Sequence, residues 1–109
     1  MTVNIEEKNG RKILALSGEI DMSASPILRK ELMVLIKSKV DQLLVDFRDV
    51  SYIDSSGIAT FVEGLKGMMS FGGKLKLAAM PSEVREIFRF SKLDRVFEIY
   101  GSVDDAINS

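Results

Sequence analysis

Val3 and Ile5 alternate with polar residues, Asn9-Gly10 interrupts the pattern, and an apolar run follows from Ile13 to Leu16. Asn-Gly suits a type I′ turn, whose two central residues both need positive φ, so antiparallel strands are predicted near 2–8 and 11–18. Ser25-Pro26 reads as a helix start, with Ser25 as N-cap and Pro26 at the first helical position. Leu28, Leu32, Leu35 and Ile36 then recur at helical spacing and supply one buried face. Residues 43–47 form a short apolar run of the kind that suits a central strand covered on both faces. A second helix is predicted from near Gly57, because Ile58, Phe61, Val62, Leu65 and Met69 fall on one stripe. Gly72-Gly73 supplies its left-handed end. Lys74 to Met80 reads as a third parallel strand, Val84, Ile87 and Phe88 as a short helix after Pro81, and Val96 to Tyr100 as an edge strand. Ser102-x-x-Asp105 resembles a capping box for a last short helix.

The order β-β-α-β-α-β-α-β-α implies an α/β fold with a mostly parallel sheet and right-handed crossovers. A chain of 109 residues suits one domain spanning 1–109.

Composition narrows the function mainly by exclusion. Fifteen basic residues against sixteen acidic ones give a net charge of −1, without the basic face a nucleic-acid binder needs. Arg29, Lys30, Lys37 and Lys39 read as the solvated side of one helix. Met1 to Lys8 holds no apolar leader core, and no apolar stretch approaches the ~20 residues of a membrane span. A cytoplasmic protein without a membrane partner is expected. The chain has no Cys and no His, which removes thiolate metal sites and the usual general base.

Asp54-Ser55-Ser56-Gly57 sits at a predicted strand-to-helix turn, where a hydrolase would carry its nucleophile. That elbow wants Gly-x-Ser-x-Gly and a His, and neither is present. The Gly-rich phosphate loops are missing too. Asp46, Asp49 and Asp54 lack a recognised metal-ligand spacing and read as turn and capping residues. Met68, Met69 and Met80 read as core filler. No catalytic residue, cofactor or metal is expected, and the chain is not read as an enzyme.

The segment Asp54-Ser55-Ser56-Gly57-Ile58 resembles the phosphorylation motif of anti-sigma factor antagonists, bacterial members of the STAS domain family. Gly18-Glu19-Ile20-Asp21 is similar to a Gly-x-Leu/Ile-Asp segment that lies beside the phosphorylation loop in that family. Leu43 to Tyr52 is similar to the strand and turn leading into the motif, and Leu93, Phe97, Tyr100 and Ala106 to the C-terminal pattern. The resemblance covers nearly the whole chain.

It implies that Ser56, immediately before the Gly, takes the phosphate. It further implies partner switching. The unphosphorylated chain binds an anti-sigma factor that is also a serine kinase, phosphorylation ends the complex, and a serine phosphatase restores it. The chain would be a monomer or weak dimer. Asp21, Ser23, Asp54, Ser55, Gly57, Ala59 and Thr60 are expected to form the partner-binding surface, with Ile58 and Phe61 pointing inward and Ala59, Thr60 and Glu63 outward. Two rival readings stay open: a scaffold STAS subunit of a stress-signalling or lipid-transport complex, and an enzyme or nucleotide-binding module using the Ser-rich turn.

Overall fold

A computed structural model describes all residues from Met1 to Ser109. The element order is β1 (Thr2–Lys8), β2 (Arg11–Ile20), α1 (Ser25–Lys37), β3 (Gln42–Ile53), α2 (Ser55–Met69), β4 (Lys74–Ala78), α3 (Ser82–Phe90), β5 (Glu98–Tyr100) and α4 (Val103–Ile107). A 3-10 turn at Leu93–Arg95 precedes β5. The five strands form one sheet in the order β1-β2-β3-β4-β5. β1 and β2 are antiparallel, and every other neighbour pair is parallel. The predicted hairpin is present, with φ of +52° at Asn9 and +76° at Gly10.

Strand alternation sends Leu43, Val45 and Phe47 to one face of the sheet, together with Leu75 and Leu77. There they join Leu28, Leu32 and Leu35 of α1, Phe61 and Met68 of α2, and Val84 and Phe88 of α3. Phe47 lies at the centre of this core, 5.2 Å from the ring of Phe61 and 6.0 Å, edge-on, from that of Phe88. The opposite face carries a smaller cluster, Ile13, Leu44 and Ala78, covered by Ala106 and Ile107 of α4.

Several local expectations give way to tertiary geometry. Ser25 is the first residue of α1 rather than its cap, and Asp21 ties off the turn before it. β3 runs to Ile53, well past Phe47, because it is not a regular strand. Its register against β2 slips between Ala15 and Ser17 and again between Gly18 and Glu19. The buried positions therefore run Phe47, Val50, Ile53, a spacing of three that alternation does not anticipate. Asp46 supports the first irregularity, its Oδ1 accepting from the Arg48 N–H at 2.9 Å. Helix α2 starts at Ser55, two residues before Gly57, because Asp54 caps it. Met68, not Met69, completes its buried stripe, and Met69 is 65% exposed. Gly72 supplies the left-handed residue, and the Gly73 N–H donates to the Met68 carbonyl at 2.8 Å. β4 ends at Ala78 and β5 begins at Glu98, each shorter than predicted. The Ser102 cap of α4 is present, its Oγ accepting from the Asp105 N–H at 3.0 Å.

Lys76 is the one fully buried cation, at 1% exposure on the face beneath α4. Its ammonium donates to the Ala106 carbonyl at 3.2 Å and to Ser109 Oγ at 2.7 Å. Burial lowers its pKa, partly offset by the charge of Glu98. Lys76→Ala is expected to cost about 2–4 kcal/mol through the cavity it leaves. Lys76→Met keeps most of the volume and removes a desolvated charge, so it should stay within about 1.5 kcal/mol of the parent in urea unfolding. Equal losses in the two variants would show that the ammonium bonds, not the packing, hold α4.

Candidate functional site

Strands β2 and β3 end side by side, with Ile20 paired to Ile53. Each is followed by an Asp, and the two Asp residues build the same turn. Asp21 Oδ1 accepts from the Ser23 N–H (3.1 Å), the Ser23 hydroxyl (2.7 Å) and the Ala24 N–H (3.1 Å). Asp54 Oδ1 accepts from the Ser56 N–H (3.0 Å), the Ser56 hydroxyl (2.6 Å) and the Gly57 N–H (3.1 Å). Asp21-Met22-Ser23-Ala24 and Asp54-Ser55-Ser56-Gly57 are thus one motif made twice, at the starts of α1 and α2. In each turn one carboxylate oxygen is consumed and the residue after the Asp forms the exposed tip: Met22 in the first, Ser55 in the second.

Both carboxylates are held ionised. The Ser23 hydroxyl and then the Ala24 N–H keep Asp21 below its ordinary pKa. The Ser56 hydroxyl does so for Asp54, helped by the Gly57 and Ser56 N–H groups and opposed by partial burial and the charge of Asp21. A carboxyl depressed in the folded state contributes stability above its unfolded pKa and loses it as pH falls through the folded value. Asp54→Ala is therefore expected to lower the Tm at neutral pH, with the gap to the parent closing below pH 3.8. A gap that stays constant through acid would mean that Asp54 does not cap α2 as a carboxylate.

The two serines of the motif differ sharply. Ser55 is exposed, and its hydroxyl makes no hydrogen bond within the chain. Ser56 is half-buried, and its hydroxyl is bonded to Asp54 and lies 2.9 Å from Ser25 Oγ. Ser55 thus carries the freer hydroxyl, while Ser56, the residue to which the resemblance assigns the phosphate, is held by Asp54 and faces Ser25.

Of the expected contact residues, Asp21, Ser23, Asp54, Ser55 and Ala59 reach the surface of this one end of the sheet. Two do not. Thr60 is buried, at 6% exposure, and its hydroxyl donates to the Ser56 carbonyl at 2.9 Å, so it stabilises the first turn of α2 from inside. Gly57 is also buried, and a Cβ there would meet Ile53 Cγ1 at 2.7 Å, Ile20 Cγ2 at 2.8 Å and the Ile20 carbonyl at 2.9 Å. Its small size lets α2 pack onto the ends of β2 and β3. Glu63 is exposed as expected, but Arg29 of α1 claims it, with Nε 3.0 Å from both carboxylate oxygens. Helical spacing alone missed Ser25, which is 8% exposed and joins the two turns. No signal along the chain pairs residue 25 with residue 56, because their contact depends on which strand ends are neighbours.

Met22 (76% exposed), Ile27 (56%) and Tyr52 (45%) add apolar surface at the same end of the molecule. No three His, Cys, Asp or Glu side chains come together as metal ligands would. No helix is long and apolar enough to cross a membrane.

The chain is 32% identical over 101 residues to the anti-sigma-B factor antagonist of Bacillus subtilis, covering 91% of this chain and 92% of the relative. Its fold matches the crystal structure of an anti-sigma factor antagonist from Mycobacterium paratuberculosis with a TM-score of 0.90, at 24% identity over 98% of this chain and 91% of that one. It also matches SpoIIAA, an anti-sigma factor antagonist and Bacillus cell fate determinant. The TM-score is 0.83 for the unphosphorylated form (23% identity, 98% and 94% of the two chains) and 0.75 for the phosphorylated form (22% identity, 98% and 97%). The STAS domain profile matches residues 2–106, nearly the full length, and the chain belongs to the STAS domain family.

Proposed function

We propose that this chain is an anti-sigma factor antagonist that works by partner switching and is itself a substrate, not a catalyst. Its binding face is the end of the sheet where the Asp21 and Asp54 turns meet. The partner is an anti-sigma factor with serine kinase activity, and a serine phosphatase reverses the modification. The observation that carries this reading is the free, exposed Ser55 hydroxyl at the start of α2, flanked by two anchored carboxylates.

A phosphate there meets the positive end of the α2 dipole, so the fold tolerates it, although the Ser56, Gly57 and Ile58 N–H groups are already taken by Asp54. A partner seated on the same face does not. It would have to desolvate about two further negative charges beside Asp21 and Asp54. The 32% identity to the B. subtilis antagonist supports the reading, and SpoIIAA, solved in a phosphorylated form, shares the fold. Of the two serines, Ser55 is the better-presented acceptor.

The test is incubation with the cognate kinase and ATP, followed by mapping of the phosphate by mass spectrometry. Phosphate on Ser55 is expected. Ser55→Ala should leave only slow residual incorporation while still binding the kinase, and Ser55→Asp should weaken binding with an unchanged Tm. Phosphate found on Ser56 in the parent chain would reassign the acceptor to that residue. Absence of both binding and phosphorylation with every anti-sigma kinase of the source cell would overturn the function.

A further inference from the structure

The hydroxyls of Ser25 and Ser56 take part in three short oxygen–oxygen contacts: Ser25 to the Asp21 carbonyl at 2.8 Å, Ser25 to Ser56 at 2.9 Å, and Ser56 to Asp54 Oδ1 at 2.6 Å. Two hydroxyls carry two protons, so the three contacts cannot all be hydrogen bonds at once. The ionised Asp54 is the strongest acceptor and makes the shortest contact, so it takes the Ser56 proton. The Asp21 carbonyl already accepts the Ala24 and Ser25 N–H groups at 3.1 and 2.9 Å. The Ser25 proton is therefore free to turn to Ser56 Oγ. The result is a directed chain, Ser25 to Ser56 to Asp54, which occupies the Ser56 proton and one of its lone pairs. Ser25 itself is more than nine-tenths buried and cannot move aside without disturbing the start of α1.

Resting on the proposal that this turn is phosphorylated, we infer that Ser25 is a specificity-determining residue: it keeps Ser56 from acting as phosphoacceptor and so directs the phosphate to Ser55. Phosphoryl transfer forms a bond from serine Oγ to the γ-phosphorus of ATP, breaks the bond from that phosphorus to the ADP oxygen, and releases the hydroxyl proton to a base. The incoming phosphorus needs an unhindered oxygen lone pair in line with the leaving group. Ser55 Oγ offers this. Ser56 Oγ already has a base for its proton in Asp54, and what it lacks is access, because Ser25 Oγ stands at hydrogen-bond distance on its other side.

The experiment uses the full chain, its kinase and ATP, and reads the rate and position of incorporation by mass spectrometry. Wild type should carry phosphate on Ser55, and Ser55→Ala should leave only slow incorporation at Ser56. Adding Ser25→Ala to Ser55→Ala should raise incorporation at Ser56 about fivefold or more, the equivalent of one neutral hydrogen bond released. Adding Ser25→Thr instead keeps the hydroxyl and should leave the rate as slow as in Ser55→Ala alone. Equal Tm values across the set separate this effect from a loosened fold, since a purely structural role for Ser25 would not move the phosphate between serines. Wild-type phosphorylation confined to Ser55, with no gain at Ser56 on adding Ser25→Ala, overturns the role of Ser25 and leaves the proposed function standing. Rapid Ser56 phosphorylation in Ser55→Ala with Ser25 intact overturns it as well. No phosphate on either serine in wild type overturns the underlying reading, and the inference with it.

Discussion

Gly57→Ala is expected to destabilise the protein by about 1–3 kcal/mol or more, a large effect for one methyl group. The added Cβ would lie 2.9 Å from the Ile20 carbonyl oxygen and closer still to the Ile20 and Ile53 side chains. The isoleucine side chains could shift, but the carbonyl is backbone, and it accepts the Asp54 N–H at 3.1 Å. Relief therefore means lifting the start of α2 away from the ends of β2 and β3, which would also disturb the Asp54 cap. Backbone conformation is not the reason for glycine here, because the residue is helical and its φ lies outside the left-handed region. Urea unfolding of the Ala variant measures the cost. Wild-type stability together with lost kinase binding would instead support the view that Gly57 is small to admit a partner.

Phe47→Ala should be costlier, at about 3–5 kcal/mol, enough to leave a domain of ordinary stability partly unfolded near 37 °C. Phe47 is fully buried and connects three elements through its ring. It leans on Phe61 of α2 and meets Phe88 of α3 edge-on, and Phe88 in turn meets Phe97 edge-on at 5.7 Å. Such contacts add to the area term because the rings sit at favourable tilts. Truncation would remove the shared partner of α2 and α3 and open a cavity under the helix that carries Ser55. Phe47→Leu, which fills most of the space, should recover more than half of the loss. A Phe47→Ala variant melting within a few degrees of wild type would mean that the core collapses to fill the gap.

Both predictions bear on the proposed switch. The Ser55 hydroxyl is placed by α2, and α2 is placed by Gly57 below and Phe61 behind. A phosphorylation defect in either variant therefore has to be read beside its stability.

Much of the architecture could be read along the chain, because its causes are local. The Asn9-Gly10 turn needs two positive φ angles, and only those residues supply them cheaply. Ser102 and the N–H of Asp105 lie three residues apart, so the cap of α4 was visible in one glance at the sequence. The helical stripes of α1 and α2 follow from a 3.6-residue period and needed no knowledge of what they pack against. The Asp-Ser-Ser-Gly motif likewise marked a strand-to-helix turn, since the residues that cap a helix are contiguous with it.

What the chain alone could not decide depended on neighbours distant in sequence. The length of β3 was hidden because register slips against β2 change its buried spacing from two to three, and a slip is a property of two strands together. Helical spacing turned Thr60 outward, but it is buried in the fold, and its hydroxyl donates to the Ser56 carbonyl one turn back. The strand pattern of residues 74–80 says nothing of the burial of Lys76, which depends on α4 lying over it and supplying oxygens for its ammonium. The choice between Ser55 and Ser56 belonged to the same class. Side by side in the sequence they are chemically identical, and they became different only when β2 and β3 ended as neighbours and set Ser25 of α1 against Ser56 of α2.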